Sequence, residues 1–317
     1  LPLPSLKQIQ NTATIVSLKV FLRAFQCLPR WCTQALFTAL FPIAYFGIRH
    51  LAKICQKNLY LAYGEIKTLQ EYQKMTRDCF YNMGCSMMDM LYFVKRPQQL
   101  KGITHLHGEE HLRQALAKNH GAVVVTAHLS NFPLMFLSLV SQGYKVNVVI
   151  RTMRDRDFSK FMYDLCALWG IRMIETFPQK SFIKESFAAL RRNELLVILL
   201  DEVVPAEEGV LVPFFGTEVT RGMGPMLFYE RVGSPSIPIL IAQDEKKNFQ
   251  IFIEPELKVE TRFSPAENMK TNVAHLTKTI ESYIRRYPSQ WGGWLNKRWA
   301  AQHVSAAASS QAVLAEK

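Results

Sequence analysis

A histidine closes an apolar run, Val123-Val124-Val125-Thr126-Ala127-His128, and Leu129-Ser130-Asn131-Phe132-Pro133 comes directly after it. Unbroken β-branched residues predict a strand buried on both faces. The small polar pair Ser130-Asn131, with Pro133 just behind, predicts a helix whose first turn tolerates the missing N–H of proline. A histidine between strand end and helix start is well placed to be a general base, because a neutral imidazole takes a proton near pH 7. The helix N-terminus beside it offers unpaired N–H groups to an oxyanion or a phosphate. Asp201 stands in a similar place, directly after the apolar run 196–200. Arg151 ends a third predicted strand. In open α/β sheets, ligands collect at the carboxyl ends of strands. Arg151 there is either a contact for an acceptor phosphate or oxyanion or a solvated strand-end cation. Arg154, Arg221 and Lys297-Arg298 are lesser candidates for headgroup or carrier contacts.

Periodicity predicts the elements that must position these residues. Residues 1–100 read as helical, with apolar positions three and four apart. From Gly121 the pattern alternates. Strands are predicted at 122–126, 145–151, 171–175, 195–200, 210–215, 236–243 and 248–254, the last two as a hairpin around Asp244-Glu245-Lys246-Lys247. Helices are predicted at 133–141, 157–169, 180–192, 223–232 and 265–286. The expected fold is α/β, a mixed central sheet flanked by helices, behind a helical membrane-associating N-terminal layer. The expected division is 1–100 for that layer, 101–303 for the α/β domain and 304–317 for a flexible tail.

Charge bears on partners. The 317 residues carry a net +12, and no Asp or Glu precedes Glu65, while Lys7, Lys19, Arg23, Arg30, Arg49, Lys53 and Lys57 do. These cations are interleaved with Leu, Phe, Ile and Trp, which suits amphipathic helices on an anionic membrane surface rather than nucleic acid. Residues 31–48 are 18 uncharged positions between Arg30 and Arg49, interrupted by Pro42. That is at the lower end of the ~17–25 needed for a span, so an interfacial or re-entrant helix is expected. A buried core helix is the alternative. Six cysteines without a CxxC pair read as reduced thiols. His105, His107, His111 and His120 fit no zinc spacing. The absence of a GxSxG elbow and of a P-loop argues against a serine hydrolase or an NTPase.

Several segments resemble the lipid A biosynthesis acyltransferases, a branch of the lysophospholipid acyltransferase superfamily. Asn58-Leu59 with Ala62-Tyr63-Gly64-Glu65 is similar to an early family stretch. His107-Gly108-Glu109-Glu110-His111 is similar to its G-x-E-H segment, and Leu199-Leu200-Asp201-Glu202 to its LLDQ. Gly209 with Val212-Pro213-Phe214-Phe215-Gly216 and Gly224-Pro225 come next in order, then Pro288-Ser289-Gln290-Trp291 and Trp294 with Lys297-Arg298-Trp299. The resemblance spans roughly 240 residues. It implies transfer of a fatty acyl chain from acyl carrier protein, or coenzyme A, to a hydroxyl of a glycolipid or lysophospholipid. It implies the cytoplasmic face of a bacterial inner membrane, and no metal or cofactor beyond the thioester substrate. His128 and Asp201 are the expected catalytic residues. Asn131, Arg151, Phe132, Phe215 and Arg221 are the expected substrate contacts.

One position departs from the pattern. The family carries an acidic residue five positions after the histidine, where this chain has Pro133. Losing the acid that orients a catalytic histidine costs about 10⁴ in rate in serine proteases. Three readings are open. Another group, such as a backbone carbonyl, Asp201 or Glu202, orients His128; or the chain is a lipid-binding pseudoenzyme; or a differently registered acid, such as Glu175 or Glu109, completes the pair.

Overall fold

The computed structural model describes residues 28–152 and 156–296. Lys7, Lys19, Arg23, Arg154, Lys297-Arg298-Trp299 and the tail 304–317 lie outside them. Three helices come first, α1 (Arg30–Gly47), α2 (Arg49–Tyr63) and α3 (Leu69–Phe93). The helix over the uncharged stretch therefore ends at Gly47, and α1 and α2 are bent by 86° about Ile48. Among the described residues no single helix is long and apolar enough to cross a membrane, though this bent pair passes on length and composition together. α1 and α2 both pack on α3, which starts at a Thr68–Glu71 capping box. Arg30 clamps Asp89 of α3 with two bonds of 2.8 and 2.9 Å.

A seven-stranded sheet comes next, in the order β1-β9-β8-β2-β5-β3-β4. Its strands are β1 (Thr104–His107), β2 (Ala122–Thr126), β3 (Val146–Ile150), β4 (Ile171–Glu175), β5 (Leu195–Leu199), β8 (Ser236–Gln243) and β9 (Phe249–Ile253). All neighbours are parallel except β8 and β9, which form the predicted antiparallel hairpin. Helices α4 (Glu109–Leu116), α5 (Phe132–Ser141), α6 (Arg156–Leu168), α7 (Gln179–Arg191), α8 (Gly224–Val232) and α9 (Pro265–Arg286) connect and cover the strands. A separate hairpin pairs β6 (Gly209–Phe214) with β7 (Thr217–Gly222). Phe215 and Gly216 turn it at φ 50° and 76°, the paired left-handed geometry that tight hairpins use.

The sequence pattern misses β1 and β7 for the same reason. Thr104-His105-Leu106-His107 and Thr217-Glu218-Val219-Thr220-Arg221-Gly222 carry too few apolar residues to signal a strand. They are strands because β9 and β6 offer them partners.

β2 sits at the centre, wholly buried between β5 and β8. Val123 and Val125 belong to the core shared with Val273, Leu276 and Ile280 of α9, and Val124 to the opposite core shared with Leu134 and Leu139 of α5. The period-two alternation of a strand thus commits each valine to one face. Such burial makes the strand a rigid mount for His128, which stands just past its C-terminal end.

Candidate active site

Sheet register brings the two strand-end residues together. β2 and β5 are parallel neighbours with Thr126 opposite Leu199, and Leu200 N–H donates to the Thr126 carbonyl at 2.9 Å. Two residues beyond this pair stand His128 and Asp201. Their side chains meet, with His128 Nδ1 3.0 Å from Asp201 Oδ1. His128 also donates its backbone N–H to Asp201 Oδ2 at 2.9 Å. An ionised carboxylate only accepts, so Nδ1 carries the proton, and in the neutral ring Nε2 keeps its lone pair. The Asp201 side chain is 1% exposed and that of His128 35%, so the acid is sealed and the base is open.

Electrostatics matches this geometry. Burial alone would raise the Asp201 carboxyl, but the His128 charge and the hydrogen bonds from His128 and Trp291 outweigh it and hold the acid below its ordinary range. Burial would likewise depress His128, but the charge and hydrogen bond of Asp201, with Glu202 further off, raise it above 6.5. Glu202 Oε1 lies 4.0 Å from His128 Nε2, and Arg151 reaches Glu202 Oε2 at 3.6 Å.

The loop between β2 and α5 is tightly folded. Ser130 has φ 50°, a left-handed conformation costing of order 1–3 kcal/mol. Its N–H is anchored to the Gln290 carbonyl at 2.7 Å. Asn131 caps α5 with its backbone carbonyl, which accepts from Leu134 N–H at 2.9 Å, while its side chain donates to the Ser86 carbonyl of α3 at 2.8 Å. Pro133 falls in the first turn of α5, where its missing N–H removes no bond. The N–H groups of Asn131 and Phe132 have no partner among the described residues.

Before this loop opens a cavity of about 740 Å³, bounded by His128, Asn131, Phe132, Pro133 and Glu202. Its remaining walls are mostly apolar, with Met83, Met87 and Met90 of α3 facing Met162, Leu165 and Leu168 of α6. The size suits a small hydrophobic ligand. Phe132 packs edge-on against the His128 ring, 5.1 Å between centroids.

Two expected substrate contacts lie elsewhere. Arg221 is fully buried, at the end of a run of three buried residues in β7, Val219-Thr220-Arg221. It donates from Nη1 to the Asp201 carbonyl at 2.6 Å, stacks 4.3 Å over Phe214, and does not line the cavity. Burial pushes its guanidinium down to about 10, against the pull of Asp201, Glu281 and Glu202. Phe215, 4% exposed, packs on Trp291, Trp294 and Tyr63 instead of the cavity. Arg151 is exposed and reaches the site only through Glu202. Glu109 and Glu175 have other partners, Tyr144 with Arg113 and Tyr163 respectively.

Sequence reasoning gives no role to Trp291 or Gln290. Trp291 Nε1 donates to Asp201 Oδ2 at 2.7 Å, and Gly292 N–H donates to the His128 carbonyl at 2.9 Å. The one available signal is the Pro288-Ser289-Gln290-Trp291 resemblance, which marks a segment but not its contacts. No group of His, Cys, Asp and Glu able to hold a metal ion occurs among the described residues.

Residues 6–301 match the bacterial lipid A biosynthesis acyltransferases. The chain belongs to that family. No curated protein matches it. In this acyltransferase, Pro133 stands five positions after the histidine, and Asp201 from the neighbouring strand lies against it.

Proposed function

We propose that this acyltransferase moves a fatty acyl chain from a thioester of acyl carrier protein or coenzyme A to a hydroxyl of a glycolipid or lysophospholipid. His128 is its general base and Asp201 the group that orients the base. The observation that carries this reading is the His128 Nδ1–Asp201 contact at 3.0 Å, in a histidine that lines a largely apolar cavity. The acceptor hydroxyl gives its proton to Nε2 as its oxygen attacks the thioester carbonyl carbon. The tetrahedral intermediate collapses with cleavage of the C–S bond, and the imidazolium returns the proton to the departing thiolate. Asp201 stabilises the imidazolium without itself taking the proton. The unpaired N–H groups of Asn131 and Phe132 suit the negative charge that develops on the carbonyl oxygen. Phe132, Met83, Met87 and Leu165 suit the acyl chain, and Arg151 an anionic group of the acceptor.

The same reading places the protein on the cytoplasmic face of a bacterial inner membrane. On α1, Trp31, Leu36, Leu40, Ile43 and Phe46 are exposed, next to the cations Arg49, Lys53 and Lys57 of α2. An apolar surface rimmed by cations is what an anionic bilayer binds. Because α1 packs on α3, whose methionines line the cavity, this surface would deliver lipid beside the site.

The test is acyl transfer by purified protein in anionic vesicles with acyl carrier protein and coenzyme A thioesters. Turnover is expected, falling by about 10³ or more in a folded His128→Ala variant. Wild-type-like turnover in that variant would sink the base assignment. Lipid binding without turnover by the wild type would favour a lipid-binding pseudoenzyme.

A further inference from the structure

Three donors reach the Asp201 carboxylate, and two of them, the backbone N–H and Nδ1, belong to His128. The backbone N–H is fixed at the end of β2, but the Nδ1 donor moves with the ring that the acid is to orient. The third donor, Trp291 Nε1 at 2.7 Å, comes from 90 positions along the chain. We propose that Trp291 is the positioning residue of the His128–Asp201 pair. Its indole N–H holds Oδ2, so that Oδ1 remains aligned with His128 Nδ1 in a site where position 133 offers no acid. An indole N–H only donates, so Trp291 cannot exchange protons with the pair and acts purely on its geometry and charge.

The surroundings of Trp291 make it a fixed point. The residue is 2% exposed and wedged among Trp294 and Phe214, with centroids 4.5 and 5.7 Å away. Its backbone forms a bridge with Leu129. The residues either side bind the histidine loop, through Ser130 N–H to the Gln290 carbonyl at 2.7 Å and Gly292 N–H to the His128 carbonyl at 2.9 Å. The Gln290 side chain is itself locked to the backbone of Gln243 by two bonds of 2.8 Å. Gly293 completes the slot: a Cβ there would run into the Trp291 indole ring, so the ring can occupy this position only beside glycine. On the other side, the buried Arg221 ties down the Asp201 carbonyl.

This inference rests on the reading of His128 as the base, and two variants separate their failures. Trp291→Phe keeps an aromatic ring, smaller than the indole, and removes the donor. Its expected effect is a fall in kcat of roughly 10- to 100-fold, the range for a lost hydrogen bond to a charged group, with KM within about twofold. With one donor fewer, more of the carboxylate charge faces the imidazolium, so the acidic limb of kcat/KM moves to higher pH. Gly293→Ala, which displaces the indole, should shift kcat and the limb in the same directions. A variant less stable to heat but with unchanged kcat and pH limb would overturn the proposal. In the wild-type protein, the Trp291 indole ¹⁵N–¹H resonance should titrate with the same midpoint as His128. An indole signal indifferent to that titration overturns the proposal even if neither variant folds. Failure of the base reading shows separately, as retained turnover in His128→Ala.

Discussion

At the scale of single residues, the state that reacts and the state that is most stabilised differ. As the proposed base, His128 must be neutral at Nε2, while the pair is strongest when His128 is protonated and Asp201 ionised. His128 titrates above 6.5 because of Asp201 and, secondarily, Glu202. The acidic limb of kcat/KM is therefore expected above pH 6.5, and a pH–rate profile checks it. Asp201→Asn should lower kcat by about 10²–10⁴ and shift that limb downward, because the neutral amide no longer favours the imidazolium. Glu202→Gln should shift it downward by less, since its carboxylate is 4.0 Å away and 47% exposed. Stability has its own dependence. The raised His128 contributes stability below its unfolded value that is lost as pH rises through the folded one. The depressed Asp201 contributes stability above 3.8 that is lost as pH falls through its lowered value. The pair is thus most stabilising at mildly acidic pH, on the acid side of the activity limb.

At the scale of elements, the ends of helices and strands do the positioning. Pro133 offers no acid but suits the start of α5, since the first helical turn needs no N–H from it. An acid reaches the imidazole from the end of β5, because parallel pairing with β2 carries its register two residues past the strand ends. α9 shows the same economy at its N-terminus. Ser264 and Glu267 form a reciprocal capping box, with Glu267 N–H on Ser264 Oγ at 3.4 Å and Ser264 N–H on Glu267 Oε2 at 3.2 Å. Ser264→Ala is expected to cost about 1 kcal/mol in denaturant unfolding. Leu276→Ala, a wholly buried position on the same helix, should cost roughly 2–5 kcal/mol. Both leave the cavity residues in place, so loss of stability without change in substrate KM is the expected pattern.

At the scale of the whole molecule, net charge of +12 and the exposed face of α1 act together. Full burial of Ile or Phe side chains is worth about 1.5–3 kcal/mol each. Replacing Ile43 and Phe46 with Asp, at 75% and 64% exposure, should therefore weaken binding to anionic vesicles by at least about tenfold. Co-sedimentation measures it, and unchanged binding would exclude α1 as the membrane contact. Raising salt should weaken binding of the wild type, because screening shortens the reach of the cations.

Much of this fold is legible in the amino-acid sequence alone. The central strands and the helices that cover them arise from local periodicity, and α9 over Pro265–Arg286 coincides with its predicted bounds. The two catalytic candidates are also local signals, each a polar residue ending an apolar run. Pairing across distance is not legible in the same way. Nothing within the segments around His128 and Asp201 states that β5 lies beside β2, or that Trp291 closes the same site from the far end of the chain. The burial of Arg221 is illegible for this reason: a cation in a polar stretch suggests a surface until hairpin pairing and packing enclose it. Hydrophobic pattern determines where elements form because it acts between near neighbours. The geometry of the candidate site is decided only by tertiary structure, because register and burial depend on residues the local sequence cannot specify.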